Sequence, residues 1–323
     1  MEVIMKVTVI GTGRWGSFIA WYIQKIGHDV TVYGEKNAPD FIALRDTGTN
    51  GTVTFKEGTP FITDLERALS SEVIIISVPS QALRGLMGEI KKQSPKNKIF
   101  VLCMKGIEIS SGKRLSEVTE EFIDESCRVA VWIGPGHPQE FVRGIPNCMV
   151  IDSVDEEVKN KLVDSFSSDL IRFYYGCDLV GNEVGAAAKN VIGIAAGMLD
   201  GLELSSLKGA LMSRATREVA RLIVAMGGDG NSAYGLCHLG DYEATVFSEH
   251  SHNRRFGELI VKGEKFDKLA EGYYTAEAIK KLCDRYGLDM PICSEVYNVL
   301  YCGKEPKDAI TGLFSRSIKK EIY

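Results

Sequence analysis

The sequence predicts an α/β domain with a mostly parallel sheet, followed by an all-helical domain. In the first half, short apolar runs rich in β-branched residues alternate with helical patterns, which is typical of a parallel sheet covered by helices. After about residue 178 only helical patterns occur, at 181–200, 207–226, 253–261, 275–286 and 291–301. We therefore expect domains at 1–178 and 179–323.

Composition excludes several classes of protein. The 323 residues suit two domains, and 45% hydrophobic with 25% charged residues is ordinary for a globular protein. A net charge of −5 gives no reason to expect nucleic acid as a partner. No apolar run approaches the roughly 20 residues that a membrane span needs, and the N-terminus lacks the features of a signal peptide. The eight cysteines show no CxxC spacing and indicate a reduced, cytoplasmic protein.

The first elements are a strand, a glycine turn and a helix. Residues 6–10 form a β-rich run, residues 11–16 read GTGRWG, and a helical pattern follows at 17–26 before a second strand at 29–33. In such a turn Gly11 permits the tight bend, Gly13 lets the backbone approach a pyrophosphate, and Gly16 lets the helix pack on the strand. This context predicts a Rossmann-type domain that binds NAD or NADP.

The end of the second strand bears on the choice between these two cofactors. Glu35 lies where an acid usually hydrogen-bonds the ribose 2′-hydroxyl of NAD, whereas a 2′-phosphate prefers a basic residue. Lys36 is adjacent and could serve the phosphate instead, or could be a solvated surface lysine. We expect NAD, with NADP left open.

Later strands of the predicted sheet deliver further candidate residues at their carboxyl ends. The run at 72–77 leads to Pro79, the run at 98–104 to Lys105, and the run at 129–133 to Gly134 and Gly136. Runs at 148–151 and 171–175 complete the sheet. Because ligands bind at the carboxyl ends of strands in such folds, Lys105 is predicted to be functional.

A helical stretch of small apolar residues, at 185–201, carries Lys189 and Asn190 near its start. Small residues let a helix pack closely on all sides, so this helix should be central and buried. Burial disfavours the charged form of a lysine and lowers its pKa, which would make Lys189 a usable general base. The alternative is a lysine that extends its amine to the helix end.

Ten segments in order now resemble one family. They are GTGRWG at 11–16, VPS at 78–80, KGIE at 105–108, GPGHPQEF at 134–141, AAKNVIGIAAGMLDG at 187–201, LKGALMSR at 207–214, LGDYEAT at 239–245, HNRRFG at 252–257, EGYYT at 271–275 and YCGK at 301–304. Together they resemble the bacterial soluble NAD(P)-dependent sn-glycerol-3-phosphate dehydrogenases, over nearly the whole chain.

The resemblance implies roles for individual residues. Lys189 would be the proton acceptor, and Lys105, Asn190 and Asp241 would complete the catalytic set. The implied cofactor-binding residues are Gly11, Gly13, Arg14, Trp15, Gly16, Glu35, Pro79, Lys105, Pro138, His252, Leu269 and Glu271. The implied substrate-binding residues are Lys105, Gly134, Gly136, Lys189, Asp241, Thr245, Ser251, His252, Asn253 and Arg254.

Two departures from the family pattern touch the implied phosphate pocket. The family's arginine in its Ser-Arg-Asn segment is His252 here, and the usual Ser or Thr after Gly-Pro is Gly136. Arginine is charged at every physiological pH, whereas histidine loses its charge near pH 6.5. Either His252 keeps the phosphate contact or Arg254 takes it over.

The resemblance implies hydride transfer between NAD(P) and sn-glycerol 3-phosphate or dihydroxyacetone phosphate, supplying glycerol phosphate for phospholipid synthesis. It also implies a helical domain of the 6-phosphogluconate-dehydrogenase-like kind. We expect a homodimer, a small phosphorylated substrate and no metal, because hydride transfer to nicotinamide needs none. The alternatives are a related two-domain reductase of another phosphorylated alcohol or hydroxy acid, and a non-catalytic dinucleotide sensor.

Overall fold

The computed structural model describes residues 4–318 and 320–321, so the outermost ends of both predicted domains lie outside the described residues. Its first part is an eight-stranded sheet in the order β3-β2-β1-β4-β5-β6-β7-β8. The strands are β1 (Lys6–Ile10), β2 (Asp29–Tyr33), β3 (Phe61–Ile62), β4 (Val73–Ile76), β5 (Ile99–Leu102), β6 (Arg128–Ile133), β7 (Asn147–Asp152) and β8 (Ile171–Tyr175).

The strand order reverses direction between β1 and β4, which are parallel neighbours. Such a switch point opens a crevice at the carboxyl ends of the two strands. Strands β4 and β5 are buried along their whole length, which explains their uninterrupted apolar sequences. The pairing of β6 with β7 is antiparallel, whereas the other pairs are parallel. The fold class predicted from the sequence is confirmed.

Seven helices accompany the sheet in the described part of the chain. They are α1 (Arg14–Lys25), α2 (Pro39–Thr47), α3 (Leu65–Ala68), α4 (Leu83–Lys92), α5 (Leu115–Glu120), α6 (Pro138–Val142) and α7 (Glu156–Phe166). Helix α1 begins at Arg14, three residues before the predicted helical pattern. The last three residues of the glycine motif therefore already belong to the helix. Helices α2 and α4 to α7 were not predicted. Helices α5 and α6 are short, with six and five residues, whereas α4 and α7 carry apolar residues at helical spacing that were not assigned to helices.

Six α-helices lie in the described portion of the second part. They are α8 (Leu179–Gly201), α9 (Lys208–Ala225), α10 (His252–Lys262), α11 (Glu271–Tyr286), α12 (Pro291–Cys302) and α13 (Pro306–Phe314). Helix α8 is buried from Val184 to Leu199 and packs against α9, α10, α11 and α12. Its glycines allow this closeness: a Cβ on Gly197 would lie 1.8 Å from the Arg254 carbonyl oxygen. The predicted central helix is therefore the centre of this domain. No helix among the described residues is long and apolar enough to cross a membrane.

Candidate functional site

The glycine turn between β1 and α1 lies at the switch point of the sheet. Gly11 has φ +111°, and a Cβ there would lie 2.2 Å from the Ser77 carbonyl oxygen beyond β4. A Cβ on Gly16 would lie 2.2 Å from the Gly11 carbonyl oxygen, whereas Gly13 has open space around its Cα. Each glycine thus meets the requirement that the sequence pattern predicted.

The start of α1 suits a pyrophosphate. Gly13 caps the helix without a side-chain hydrogen bond, so the amides of the first turn have no capping partner. Arg14 is next to them, and its guanidinium donates to the His250 carbonyl oxygen at 3.4 Å. Trp15 packs on Phe18 and Phe141, with ring centroids 5.2 and 6.4 Å apart. These residues fit a nicotinamide dinucleotide. Glu35 and Lys36 are exposed beyond the end of β2, and Pro79 is exposed beyond β4.

Two lysines from different domains meet on one carboxylate. Lys105 follows β5, Lys189 lies on α8, and Asp241 lies in the 3₁₀ turn Leu239–Asp241. The Asp241 Oδ2 atom is 2.6 Å from Lys105 Nζ and 2.8 Å from Lys189 Nζ. The Asp241 side chain is 1% exposed. Sequence positions 136 residues apart are thus brought into contact by the packing of α8 against the sheet.

Each lysine has a further partner. Lys189 Nζ donates to Thr245 Oγ1 at 2.7 Å, and Thr245 lies in a π-helical turn, Glu243–Phe247. Lys105 Nζ donates to the Gly134 carbonyl oxygen at 2.7 Å, at the end of β6. Short π-helical turns are frequent at functional sites. The predicted residues Lys105, Lys189, Asp241, Thr245 and Gly134 therefore form one cluster.

The pKa of Lys189 is lowered from its usual 10.5 to about 8, because burial outweighs the opposing charge of Asp241 and the charge of Lys105 adds to the lowering. An amine with this pKa is present in both protonation states near neutral pH. It can therefore accept a proton in one direction of a reaction and donate it in the other. Lys189 is therefore desolvated in the structure, as expected from the sequence. Its amine bonds Asp241 and Thr245 and does not extend to the helix end.

A second network joins the site to three helices. Asn190 Nδ2 donates to the Lys105 carbonyl oxygen at 3.1 Å, and Asn253 Nδ2 donates to Asn190 Oδ1 at 3.0 Å. The Gly272 amide, at the start of α11, donates to Asn253 Oδ1 at 2.9 Å. Asn190 and Asn253 therefore fix the starts of α10 and α11 beside α8.

The start of α10 is where the family resemblance implies that the phosphate binds. Ser251 caps the helix through its hydroxyl, which accepts from the Arg254 amide at 3.3 Å. The Arg254 guanidinium turns to Asp200 Oδ2 at 2.5 Å and to the Ser248 carbonyl oxygen at 3.0 Å. Its charge is therefore already compensated by a carboxylate, which weakens the hypothesis that Arg254 replaces the family's arginine.

His252 is held differently. Its Nδ1 donates to the Leu269 carbonyl oxygen at 3.1 Å, which leaves Nε2 for a ligand. Partial burial lowers the pKa of His252, and the charges of Arg14 and Lys268 lower it further. The lowered pKa favours the neutral ring, in which Nδ1 carries the proton and Nε2 is an acceptor.

Glu271 and Ser80 connect the two domains. The Ser80 amide donates to Glu271 Oε1 at 2.9 Å, and the Ser80 hydroxyl donates to Glu271 Oε2. Glu271 is a predicted cofactor contact, whereas Ser80 has no predicted role. Asp200, the partner of Arg254, has none either. Nothing in the local sequence of either residue indicates such long-range pairs.

Other parts of the molecule do not add to this site. A cavity of about 710 Å³ lies among α8, α9, α12 and α13, and none of the residues proposed for catalysis lines it. Within the described residues no group of three His, Cys, Asp or Glu side chains converges as metal ligands would. Cys237 and His238 are fully buried, and burial raises the pKa of the Cys237 thiol.

The family models and the full-length relatives agree on one enzyme family. The family model of the NAD-dependent glycerol-3-phosphate dehydrogenase N-terminus matches residues 6–159, and that of the C-terminus matches 178–311. A glycerol-3-phosphate dehydrogenase (NAD(P)+) of Thermoanaerobacter sp. is 36% identical over 330 residues, which is 99% of each chain. One of Moorella thermoacetica is 37% identical over 98% of each chain.

A solved structure of a glycerol-3-phosphate dehydrogenase from Coxiella burnetii superposes with a TM-score of 0.90 at 26% identity, over 97% of this chain and 99% of that one. The structure of a D-mandelate dehydrogenase with NADH superposes with a TM-score of 0.63 at 15% identity, over 93% and 98% of the two chains. The second likeness concerns the fold alone.

Proposed function

The chain belongs to the NAD-dependent glycerol-3-phosphate dehydrogenase family, and we propose that it interconverts sn-glycerol 3-phosphate and dihydroxyacetone phosphate with NAD(P). The observation that carries the proposal is the buried cluster in which Lys105 and Lys189 share Asp241. A protein that only sensed a dinucleotide would have no use for a desolvated lysine of lowered pKa.

The nicotinamide, when bound, accepts or supplies the hydride at C2 of the substrate. Lys189 takes the proton of the C2 hydroxyl during oxidation and returns it to the carbonyl oxygen during reduction. We assign to Lys105 and to the side-chain amide of Asn190 the stabilisation of negative charge on that oxygen. Asp241 holds both ammonium groups in position, and Thr245 orients Lys189. The proton acceptor and the charge-stabilising groups all come from the chain itself, which supports our proposal that the reaction uses no metal.

The substrate phosphate is proposed to lie at the start of α10. The amides of its first turn and the Asn253 side chain offer hydrogen-bond donors there, and Nε2 of His252 can donate only when the ring is protonated, because Nδ1 already donates to Leu269. The cofactor is proposed to contact Gly11, Gly13, Arg14, Trp15, Gly16, Pro79, Pro138, Leu269 and Glu271, with Glu35 on its ribose. Gly134 and Gly136 are proposed to line the substrate.

We also propose that the protein is a cytoplasmic homodimer and that it supplies glycerol phosphate for phospholipid synthesis. The test of the activity is the oxidation of NADH, followed by absorbance, with dihydroxyacetone phosphate as substrate. Dihydroxyacetone without the phosphate is the control. Turnover that requires the phosphate supports the proposal, and equal turnover of both compounds or none with either contradicts it.

A further inference from the structure

Beside the reaction centre lies His137, a buried imidazole whose Nε2 atom has no hydrogen-bond partner among the described residues. It follows the Gly134–Pro135–Gly136 turn at the end of β6 and is 7% exposed. The Nε2 atom is itself buried. Leaving a buried polar group unpaired costs roughly 1–3 kcal/mol. A ring kept in such a place is expected to find its partner in a ligand.

The surroundings of His137 show which part of the site it faces. Its ring is 5.5 Å from that of His250, measured between centroids. Apart from burial, the charges that act on it most are those of Lys189 and Arg14, followed by Asp241 and His250. It therefore lies within electrostatic range of both the proton-accepting lysine and Arg14 at the start of the cofactor-binding helix.

The backbone of this turn depends on glycine. Gly134 and Gly136 both have φ +136°, and a Cβ on Gly136 would lie 2.3 Å from Phe141. A Ser or Thr at residue 136, as in the family pattern, would be strained in this conformation. Gly136 has no side chain to offer, and the next residue, His137, supplies a hydrogen-bonding ring at this turn.

We infer that His137 hydrogen-bonds the terminal hydroxyl group of the substrate, at C1 of dihydroxyacetone phosphate. This inference rests on the proposed function. The C2 oxygen already has Lys189, Lys105 and Asn190 near it, and the phosphate has the start of α10. The terminal hydroxyl is the polar group left without a partner.

The protonation state of the ring suits a hydroxyl better than a phosphate. Burial, together with the charge of Lys189, lowers the pKa of His137 to about 4, so the imidazole is neutral at working pH. A neutral imidazole has one donor and one acceptor, as a hydroxyl group does. A phosphate dianion would favour a cation or a row of amides.

The test compares two substrates in two proteins. Hydroxyacetone phosphate has the carbonyl and phosphate of dihydroxyacetone phosphate but lacks the terminal hydroxyl. The wild type should prefer dihydroxyacetone phosphate in kcat/KM, because the analogue leaves His137 unpaired. In His137→Phe that preference should shrink about tenfold, the size of one hydrogen bond of about 1.4 kcal/mol. KM for NADH should change little.

Two further outcomes would overturn the inference. An unchanged preference in His137→Phe, with both substrates slowed equally, would place His137 on the carbonyl or phosphate instead. A large rise in KM for NADH would place it on the cofactor. His137→Asn, which keeps a donor and an acceptor, should recover part of the preference, and near-UV circular dichroism checks that both variants are folded. If the wild type shows no activity with either substrate, the proposed function itself is refuted.

Discussion

Lys189 and Asp241 form an ion pair of 2.8 Å that is almost fully enclosed, with 9% of the lysine side chain and 1% of the aspartate side chain exposed. The pair lies where α8 meets the carboxyl ends of the sheet. Because Lys105 shares the same carboxylate oxygen, one negative charge serves two ammonium groups. The cluster therefore favours release of one proton, and Lys189 is the more deeply buried donor.

Replacement of Lys189 by methionine tests its role as proton acceptor. Lys189→Met keeps the volume and the helix but removes the amine. We expect kcat to fall by roughly 10²–10⁴-fold, the usual loss when a general acid–base is removed, with NADH affinity nearly unchanged. Lys159→Met is the matched control, since Lys159 is equally buried but lies on α7 and bonds Glu156 and the Gly176 carbonyl oxygen. Activity within a few-fold of wild type in Lys189→Met would remove Lys189 from the mechanism.

The pH profile follows from the lowered pKa of Lys189. Oxidation of glycerol phosphate needs the neutral amine, so its kcat/KM should rise as pH passes about 8 and then level off. Reduction needs the ammonium form, so its kcat/KM should fall over the same range. Asp241 raises the pKa of Lys189, so Asp241→Asn should move both midpoints to lower pH. Midpoints that stay in place in this variant would show that another group titrates.

Cofactor choice is predicted to depend on Glu35. Its carboxylate is exposed beyond β2 and should repel a 2′-phosphate, so kcat/KM for NADH should exceed that for NADPH. Glu35→Ser should raise the relative use of NADPH on the order of tenfold, as one removed like charge allows. Lys36→Ser is the paired variant. If Lys36→Ser lowers NADPH use while Glu35→Ser has no effect, Lys36 binds the 2′-phosphate.

The phosphate pocket is tested at its two basic residues. His252→Ala should raise KM for dihydroxyacetone phosphate several-fold only at low pH, where the protonated ring can donate from Nε2 while Nδ1 bonds the Leu269 carbonyl oxygen. Arg254→Ala should mainly lower the melting temperature, because its guanidinium bonds Asp200 and the Ser248 carbonyl oxygen. Kinetics and thermal unfolding of both variants separate these effects. A severe rise in KM for Arg254→Ala with unchanged stability would reverse the assignment.

The glycine turn, the strand ends and the central helix were predictable because each depends on neighbours in the chain. Gly11, Gly13 and Gly16 lie within one turn, Lys105 and Gly134 follow buried apolar strands, and Lys189 sits in a run of small residues. Local sequence alone indicated a dinucleotide fold, an exposed edge for ligands and a desolvated lysine.

The partners of these residues were decided only by tertiary packing. Asp241 is joined to Lys189 within the helical domain and to Lys105 across the domain boundary, Arg254 is compensated by Asp200, and Ser80 binds Glu271. His137 is left unpaired by the same packing. Periodicity reports which face of an element is buried, but an ion pair needs two side chains within about 4 Å. That distance is set by how α8 lies against β6 and how α10 lies against α8, which no local pattern encodes.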